Sequence, residues 1–94
     1  MKPWELLDLI LDEDGVEHLW QHGIKEYEVR EIFAGDHTWF RDGRLEPGDW
    51  YMIGWTDAGR ALTVVVTVLA TGHLRPYSGW SPSKAESHHL PRRR

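Results

Sequence analysis

The stretch that most restricts the fold of this chain is RALTVVVTVL, residues 60–69, in which successive side chains alternate between two kinds of face. The first face holds only aliphatic residues, which are Leu62, Val64, Val66 and Val68. The opposite face mixes apolar residues with Thr63 and Thr67. A strand with one wholly apolar face and one half-polar face is typical of the centre of an antiparallel sheet that is covered on one side. We therefore expect helices over the aliphatic face and an opposite face that is open to water or a ligand.

The sequence before this strand predicts two helices. Apolar residues recur at helical spacing in VEHLWQHGI, and they are Val16, Leu19, Trp20, Gly23 and Ile24. Asp14 and Glu17 have the spacing of a capping box, which predicts the start of the first helix, and Gly23 is its predicted end. A second helix is predicted over KEYEVREIFAG, ending at Gly35. Its predicted buried stripe is Val29, Ile32 and Phe33, and its predicted wet face is Lys25, Glu26, Glu28, Arg30 and Glu31.

Strand-like segments account for most of the remaining chain. WELLDLIL near the N-terminus, and HTWFRD, DWYMIGWT and HLRPYSGW further on, are strand candidates, and Pro76 in the last one predicts an edge position or a bend. The loop TDAGR has the Asp and Gly of a short hairpin. SPSKAES predicts a short C-terminal helix, capped either by Ser81 ahead of Pro82 or by Ser83 with Glu86. The predicted fold is α+β, with an N-terminal strand and two helices on one face of a mostly antiparallel sheet.

Length and composition restrict the class of protein. The 94 residues can form one modest core, so we expect a single domain over residues 1–87 and a basic, disordered tail over 88–94. Cysteine is absent, which excludes disulfides, thiolate metal sites and a thiol nucleophile. The N-terminal residues reach carboxylates after a few apolar ones, so we expect no signal peptide, no membrane span and a cytoplasmic location.

The two halves of the chain differ in charge. Residues 1–49 hold five Lys/Arg and thirteen Asp/Glu, a balance of −8, whereas residues 50–94 hold six and two, a balance of +4. A basic second half could contact phosphates. The three arginines of the tail can equally be solubilising charge.

His18 and His22 lie four residues apart on the first predicted helix, a spacing that can hold a zinc ion. The metalloprotease pattern HExxH places a general-base glutamate beside the first histidine, whereas this chain reads HLWQH. We therefore predict neither a metal site nor a cofactor. Two interpretations stay open: a solvated helix face, or a role for His22 alone in acid or phosphate-binding chemistry, because it meets the negative end of the helix dipole.

Several segments, taken in order, resemble one family. DEDGVEHLWQHGI, EVREIF, IGWTDAGRALTVVVT and RPYSGWSPSKAE, spanning most of the chain, resemble the BrnT-type toxins of bacterial toxin–antitoxin pairs. The resemblance implies a fold similar to that of RelE-type ribonucleases and a toxin that cleaves RNA without a metal. It also implies an antitoxin partner with a ribbon-helix-helix DNA-binding domain.

Metal-free RNA cleavage needs groups that move protons and cations that hold the phosphate charge. Arg75 and Tyr77 alternate onto the same face of the last predicted strand, where an arginine can fork onto a phosphate and a tyrosine can stack on a base or relay a proton. With His22, these are the predicted catalytic residues. The predicted RNA-binding residues are Lys25, Arg41, Trp55, Arg60, Trp80 and Lys84.

Three positions depart from the family pattern in a direction that weakens RNA binding. Gln21, Trp55 and Trp80 stand where the family tends to carry cations, and each lost phosphate contact lowers affinity for a polyanion. The alternative function is therefore a non-catalytic module of the same fold, with Trp55 and Trp80 as anchors for a protein or a nucleotide. A third interpretation is that both tryptophans simply pack against the C-terminal helix.

Overall fold

A computed structural model describes residues 2–5 and 8–92. Helix α1 spans Glu13–Gln21 and α2 spans Glu26–Ala34, and four strands follow: β1 (His37–Phe40), β2 (Asp49–Trp55), β3 (Ala61–Val68) and β4 (Leu74–Trp80). The strands form one antiparallel sheet in the order β1-β2-β3-β4. Short 3-10 helices occupy Pro3–Glu5 and Glu86–His89. The predicted α+β fold is confirmed, and the alternating stretch does form a central strand, β3.

The aliphatic face of β3 carries the main core, as predicted. Leu62, Val64 and Val66 are fully buried against residues of both helices, including Leu19 and Ile32. We call this side of the sheet the helix-covered face. Because burial of an aliphatic side chain contributes about 1.5–3 kcal/mol, this layer is the chief reason that the helices stay on the sheet.

The predicted ends of the helices were partly right. Gly23 has a φ of 74° and ends α1 in a Schellman arrangement, with the Ile24 N–H donating to the Leu19 carbonyl. Gly35 ends α2. The cap of α1 was wrong by two residues, because Asp12 rather than Asp14 caps the helix by accepting a hydrogen bond from the Gly15 N–H at 2.7 Å. The predicted hairpin glycine, Gly59, has a φ of 88°.

Two expectations about helix surfaces were wrong. Trp20 lies on the predicted apolar stripe of α1, yet 62% of its surface is exposed, because the stripe extends beyond the area that the sheet can cover. Glu28 was placed on the wet face of α2 but is buried, since it pairs with Arg60 at 3.0 Å. An ion pair allows a carboxylate to be buried at a position that an apolar residue would otherwise occupy.

The N-terminal segment differs from the predicted strand. Within its described residues, Pro3–Glu5 is a 3-10 helix and Leu9 forms one parallel bridge to Leu74. Leu6 and Leu7, which belong to the predicted strand, lie outside the described residues. Leu9 is buried in the main core, and two backbone hydrogen bonds hold the segment against β4, from the Ile10 N–H to the Leu74 carbonyl at 2.7 Å and from the Leu74 N–H to the Asp8 carbonyl at 3.1 Å.

The opposite side of the sheet, which we call the second face, is not open as predicted. Phe40, Tyr51, Ile53 and Val65 form a second buried cluster there, and Leu90 from the C-terminal segment packs on it. Thr63, expected to face water, is fully buried. The short C-terminal helix is confirmed as the 3-10 helix, and its residues cover the part of the second face nearest to Thr63.

Candidate functional site

The candidate site is a polar row across three strands of the second face. Asp49 of β2 lies opposite Thr67 of β3, which lies opposite Arg75 of β4. Neighbouring strands are about 4.8 Å apart, so the row spans about 10 Å. Tyr77 also belongs to the row. It is the extra residue of a β-bulge, since Val65 pairs with Ser78 and Val66 pairs with Pro76. Pro76 sits at this bulge on the edge strand, as its chemistry predicts.

Asp49 organises one end of the polar row. Its carboxylate accepts a hydrogen bond from the Thr67 hydroxyl at 2.9 Å and another from the Tyr77 hydroxyl at 2.7 Å, although only 7% of the residue is exposed. Burial and the Asp49 carboxylate raise the pKa of Tyr77 to about 12. Tyr77 therefore stays protonated at neutral pH and donates its one O–H to Asp49, so its ring rather than its hydroxyl is suited to contact a ligand, by stacking on a base.

Arg75 occupies the other end of the polar row and is anchored by Asp12. Its Nε donates to one Asp12 oxygen at 2.6 Å and its Nη2 donates to the other at 3.2 Å, while 30% of its side chain stays exposed. The hydrogen bond from Arg75, followed by that from the Gly15 N–H, lowers the pKa of Asp12. Arg75 is thus oriented by a carboxylate on α1 and can offer its other N–H groups to a second anion.

Cations and aromatic rings gather around Trp50 at the start of β2. The guanidinium of Arg41 lies 5.4 Å from the ring centroid of Trp50, and the Lys2 ammonium lies 5.5 Å from it. The exposed ring of Trp4 meets Trp50 edge-on at 5.4 Å. Trp50 follows Asp49 directly in β2 and lies opposite Val66, so its side chain points to the helix-covered face and not to the polar row. Positive charge beside ring faces is the chemistry with which proteins bind single-stranded nucleic acids, but this cluster is on the other side of the sheet.

His22 lies away from the polar row. It is the C-cap residue of α1, whereas Asp12, the partner of Arg75, is the N-cap. Ten residues at 1.5 Å each separate the two along the helix, about 15 Å. The His22 ring lies 5.0 Å from that of His18, and both residues are exposed. The structure therefore brings Arg75 and Tyr77 together but does not bring His22 to them.

Other predicted RNA-binding residues have contacts elsewhere on the chain. Arg60 pairs with Glu28 and donates to the Gly23 carbonyl at 3.0 Å, which ties the β2–β3 hairpin to the helices. Lys25 lies beside the rings of Trp20 and Tyr27 at the start of α2. Lys84 is exposed in the segment before the C-terminal 3-10 helix. These three cations do not join Arg75 in one surface.

The two predicted tryptophan anchors contact the C-terminal segment. Trp55 donates its indole N–H to the Pro91 carbonyl at 2.9 Å, and Trp80 donates to Glu86 at 2.9 Å. Both rings are half-buried. Of the predicted tail, His88 and His89 belong to the 3-10 helix and His89 stacks on Phe40 at 4.0 Å. Residues 93 and 94 lie outside the described residues.

Within residues 2–5 and 8–92, no group of three or more His, Asp or Glu side chains is placed to hold a metal ion. Over the same residues, no helix has the length and apolar character needed to cross a membrane.

Asp12 and Asp49 are the members of the site that sequence reasoning missed. Asp12 is 63 residues from Arg75 in the sequence and Asp49 is 28 residues from Tyr77, so local patterns carry no sign of either contact. A signal did exist for Asp49. It opens a strand whose other positions are mainly apolar, and a carboxylate that a strand buries requires hydrogen-bond donors on its neighbours.

Comparison of the chain with protein-family models, with curated proteins and with solved structures found no significant match. The likeness to BrnT-type toxins therefore stays a prediction from the quoted residues.

Proposed function

We propose that this chain is a toxin-like protein of the BrnT type that acts on RNA without a metal ion, using the polar row that contains Arg75 and Tyr77. The single observation that supports the proposal is the position of these two side chains. They lie next to each other on the edge strand, partly exposed, and each is held by a carboxylate from another element. A prearranged cation matches the charge that builds on a phosphate during attack by the 2′-hydroxyl, and a tyrosine ring beside it can stack on a base.

The contacts of each side chain indicate its role in RNA binding. Arg75 neutralises phosphate charge through N–H groups not used on Asp12. Tyr77 donates its hydroxyl proton to Asp49 and offers its ring to a base. Arg41 and the Trp50 ring lie on the helix-covered side of the sheet and take no part in this proposal. His22 lies at the far end of α1 and takes no part in this proposal.

The proposal also includes a cytoplasmic location and a partner. A toxin of this type is neutralised by an antitoxin that carries a ribbon-helix-helix domain. An adjacent small reading frame that encodes such a protein, and that restores growth when both are expressed, would support the pairing.

Expression of the chain alone in a bacterium tests the RNA activity. We expect slowed growth and fragmented total RNA, and we expect Arg75→Ala to abolish both effects. Arg30→Ala is the matched control, because Arg30 is an exposed arginine whose ion pair with Glu26, at 3.6 Å, lies on the outside of α2. Circular dichroism must show that both variants keep the fold. Normal growth with intact RNA in cells that express the folded wild-type protein would remove the ribonuclease proposal.

A second candidate is a non-catalytic binding module, and the distribution of charge favours it. Arg30, Arg44, Arg60 and Arg75 each pair with a carboxylate. The net charge is −4, which weakens long-range attraction for RNA. Such a module needs anchors other than Trp55 and Trp80, because the indole N–H groups of both are used within the chain.

A further inference from the structure

An apolar groove lies between α1 and the start of α2, away from the second face. Its apolar lining consists of Leu11, Val16, Trp20 and Ile24, and the cavity volume is about 550 Å³. Ile24 is fully buried beneath it, whereas Trp20 stands at its wall with 62% of its surface exposed. A cavity of this size with an apolar floor is typical of a site that receives apolar side chains of a ligand or partner.

Aromatic exposure is concentrated beside this groove. Tyr27 is 56% exposed, and the Lys25 ammonium lies 6.0 Å from the Trp20 ring centroid and 5.8 Å from that of Tyr27. Lys25 is thus within cation–π distance of both rings, so the two aromatic side chains and the cation form one exposed cluster at the edge of the groove. Tryptophan and tyrosine are among the residue types that dominate binding energy at protein interfaces.

The charge around the groove indicates the charge of the partner that would bind there. Glu13, Glu17 and Glu26 line its edge, against the single cation Lys25. This rim repels the phosphates of RNA and favours a ligand with positive side chains. An apolar stripe flanked by cations on one helix face meets both requirements, because its apolar residues enter the groove while its cations reach the glutamates.

We propose that this groove binds a basic amphipathic helix of a partner protein, with Trp20 as the central aromatic contact and Glu13, Glu17 and Glu26 as partners of its lysines or arginines. This function goes beyond the proposed RNA activity and does not require it. The groove residues are distinct from Arg75, Tyr77, Thr67 and Asp49, so variants in one site leave the chemistry of the other in place.

The test uses the full chain and a defined probe, a 14-residue helical peptide with leucines on one face and lysines on the other. Titration of the ¹⁵N-labelled protein should shift the Trp20 indole N–H and the amides of residues 13–26. We expect Trp20→Ala to weaken binding roughly tenfold or more, as for a central interface tryptophan. We expect Glu17→Lys to weaken it as well and to reduce its dependence on salt.

Matched controls come from another exposed part of the chain. Trp4 is 59% exposed, similar to Trp20, and Glu5 is an exposed glutamate beside it. Trp4→Ala and Glu5→Lys should therefore leave binding unchanged. Because Trp20 lies outside the buried core, Trp20→Ala should fold, and Glu17→Lys provides an independent variant on the helix surface.

Four results would overturn the proposal. Two concern the groove: unchanged affinity in both Trp20→Ala and Glu17→Lys, or equal binding of a peptide with the lysines replaced by glutamates. The third is that a ten-residue oligouridylate shifts the same groove amides, which would make the groove an RNA site. The fourth is concentration-dependent self-association that Trp20→Ala abolishes, which would make the occupant a second copy of the chain.

Discussion

At the residue scale, Glu86 attaches the C-terminal segment to the second face. Only 5% of it is exposed, and its carboxylate accepts hydrogen bonds from the Thr63 hydroxyl at 3.0 Å and the Trp80 indole at 2.9 Å. The Arg44 guanidinium contacts its other oxygen at 3.0 Å, and the Ser83 N–H donates at 3.2 Å in a reciprocal capping box. Burial acts to raise the pKa of Glu86, but these hydrogen bonds outweigh it and hold the pKa below its ordinary value.

We expect Glu86→Ala to lower the free energy of unfolding by about 3 kcal/mol, because it leaves the donors of the buried Thr63 and the half-buried Trp80 without an acceptor. Glu86→Gln keeps one acceptor oxygen and should lose less. Glu26→Ala removes only an exposed ion pair and should change stability by about 0.5 kcal/mol or less. Urea unfolding followed by tryptophan fluorescence measures all three. Equal effects of Glu86→Ala and Glu26→Ala would show that the buried contacts do not stabilise the segment.

At the element scale, β4 lies closest to its neighbours where it carries glycine. A Cβ on Gly79 would lie 2.8 Å from Ile24 Cδ1 and 2.8 Å from the Thr63 carbonyl oxygen. Pro76 bends the same strand at the bulge, where its carbonyl oxygen would lie 2.8 Å from a Cβ on Gly15 of α1. Small residues at these points let the edge strand pack tightly between β3 and the helices.

Gly79→Ala should therefore destabilise the fold by about 1–3 kcal/mol, because the Thr63 backbone cannot move aside without disturbing the β3–β4 pairing. Gly43→Ala is the control, since a Cβ there meets nothing within 4 Å. We expect its free energy of unfolding to stay within about 0.5 kcal/mol of the wild type. A thermal midpoint of Gly79→Ala that matches that of Gly43→Ala would contradict the close approach.

The elements that sequence alone could predict are those with a strong local period. The alternation in β3 predicted a central strand and its helix-covered face, and the stripe of Val29 and Ile32 predicted α2. The helical period could not tell that Trp20 is exposed, since it gives the direction of a side chain and not the extent of the surface that covers it. The alternation also could not show that Thr63 is buried, because the residue that covers it, Glu86, lies 23 residues later in the sequence.

The same limit applies to the candidate site. Alternation and chemistry predicted Arg75 and Tyr77 as neighbours, and they are neighbours on one edge strand. Their orientation depends on Asp12 and Asp49, which belong to other elements. Contacts between residues so far apart in the sequence produce no local pattern from which they could be predicted. His22 was grouped with them because it meets the negative end of the helix dipole, and that position carries no information on its distance from the last strand.

At the scale of the whole molecule, two cores lie on opposite faces of one sheet, and polar contacts close the edges of both. The helices cover the larger core and the 3-10 helix covers the smaller one. Three carboxylates in these polar contacts have lowered pKa values: Asp12 beside β4, Asp42 in the β1–β2 loop and Glu86 in the C-terminal segment. The stability of the whole fold should therefore depend on their ionisation.

A carboxylate with a pKa lowered by folding contributes stability that is present above its unfolded pKa, about 3.9 for Asp and 4.3 for Glu, and that is lost as the pH falls through the folded value. Hydrogen bonds from the Arg44 side chain and backbone lower the pKa of Asp42 to about 2. We therefore expect the free energy of unfolding, measured in urea, to decrease as the pH falls from about 4 to 2.

Although the pKa of Asp42 is lowered to about 2, its side chain is 39% exposed and solvent screens its ion pair, whereas that of Glu86 is 6% exposed. Glu86→Gln should consequently flatten the acid dependence more than Asp42→Asn does. Urea titrations of both variants and the wild type at pH 6 and pH 3 make the comparison. If both variants lose as much stability between these pH values as the wild type, the ionised carboxylates do not hold the two faces closed.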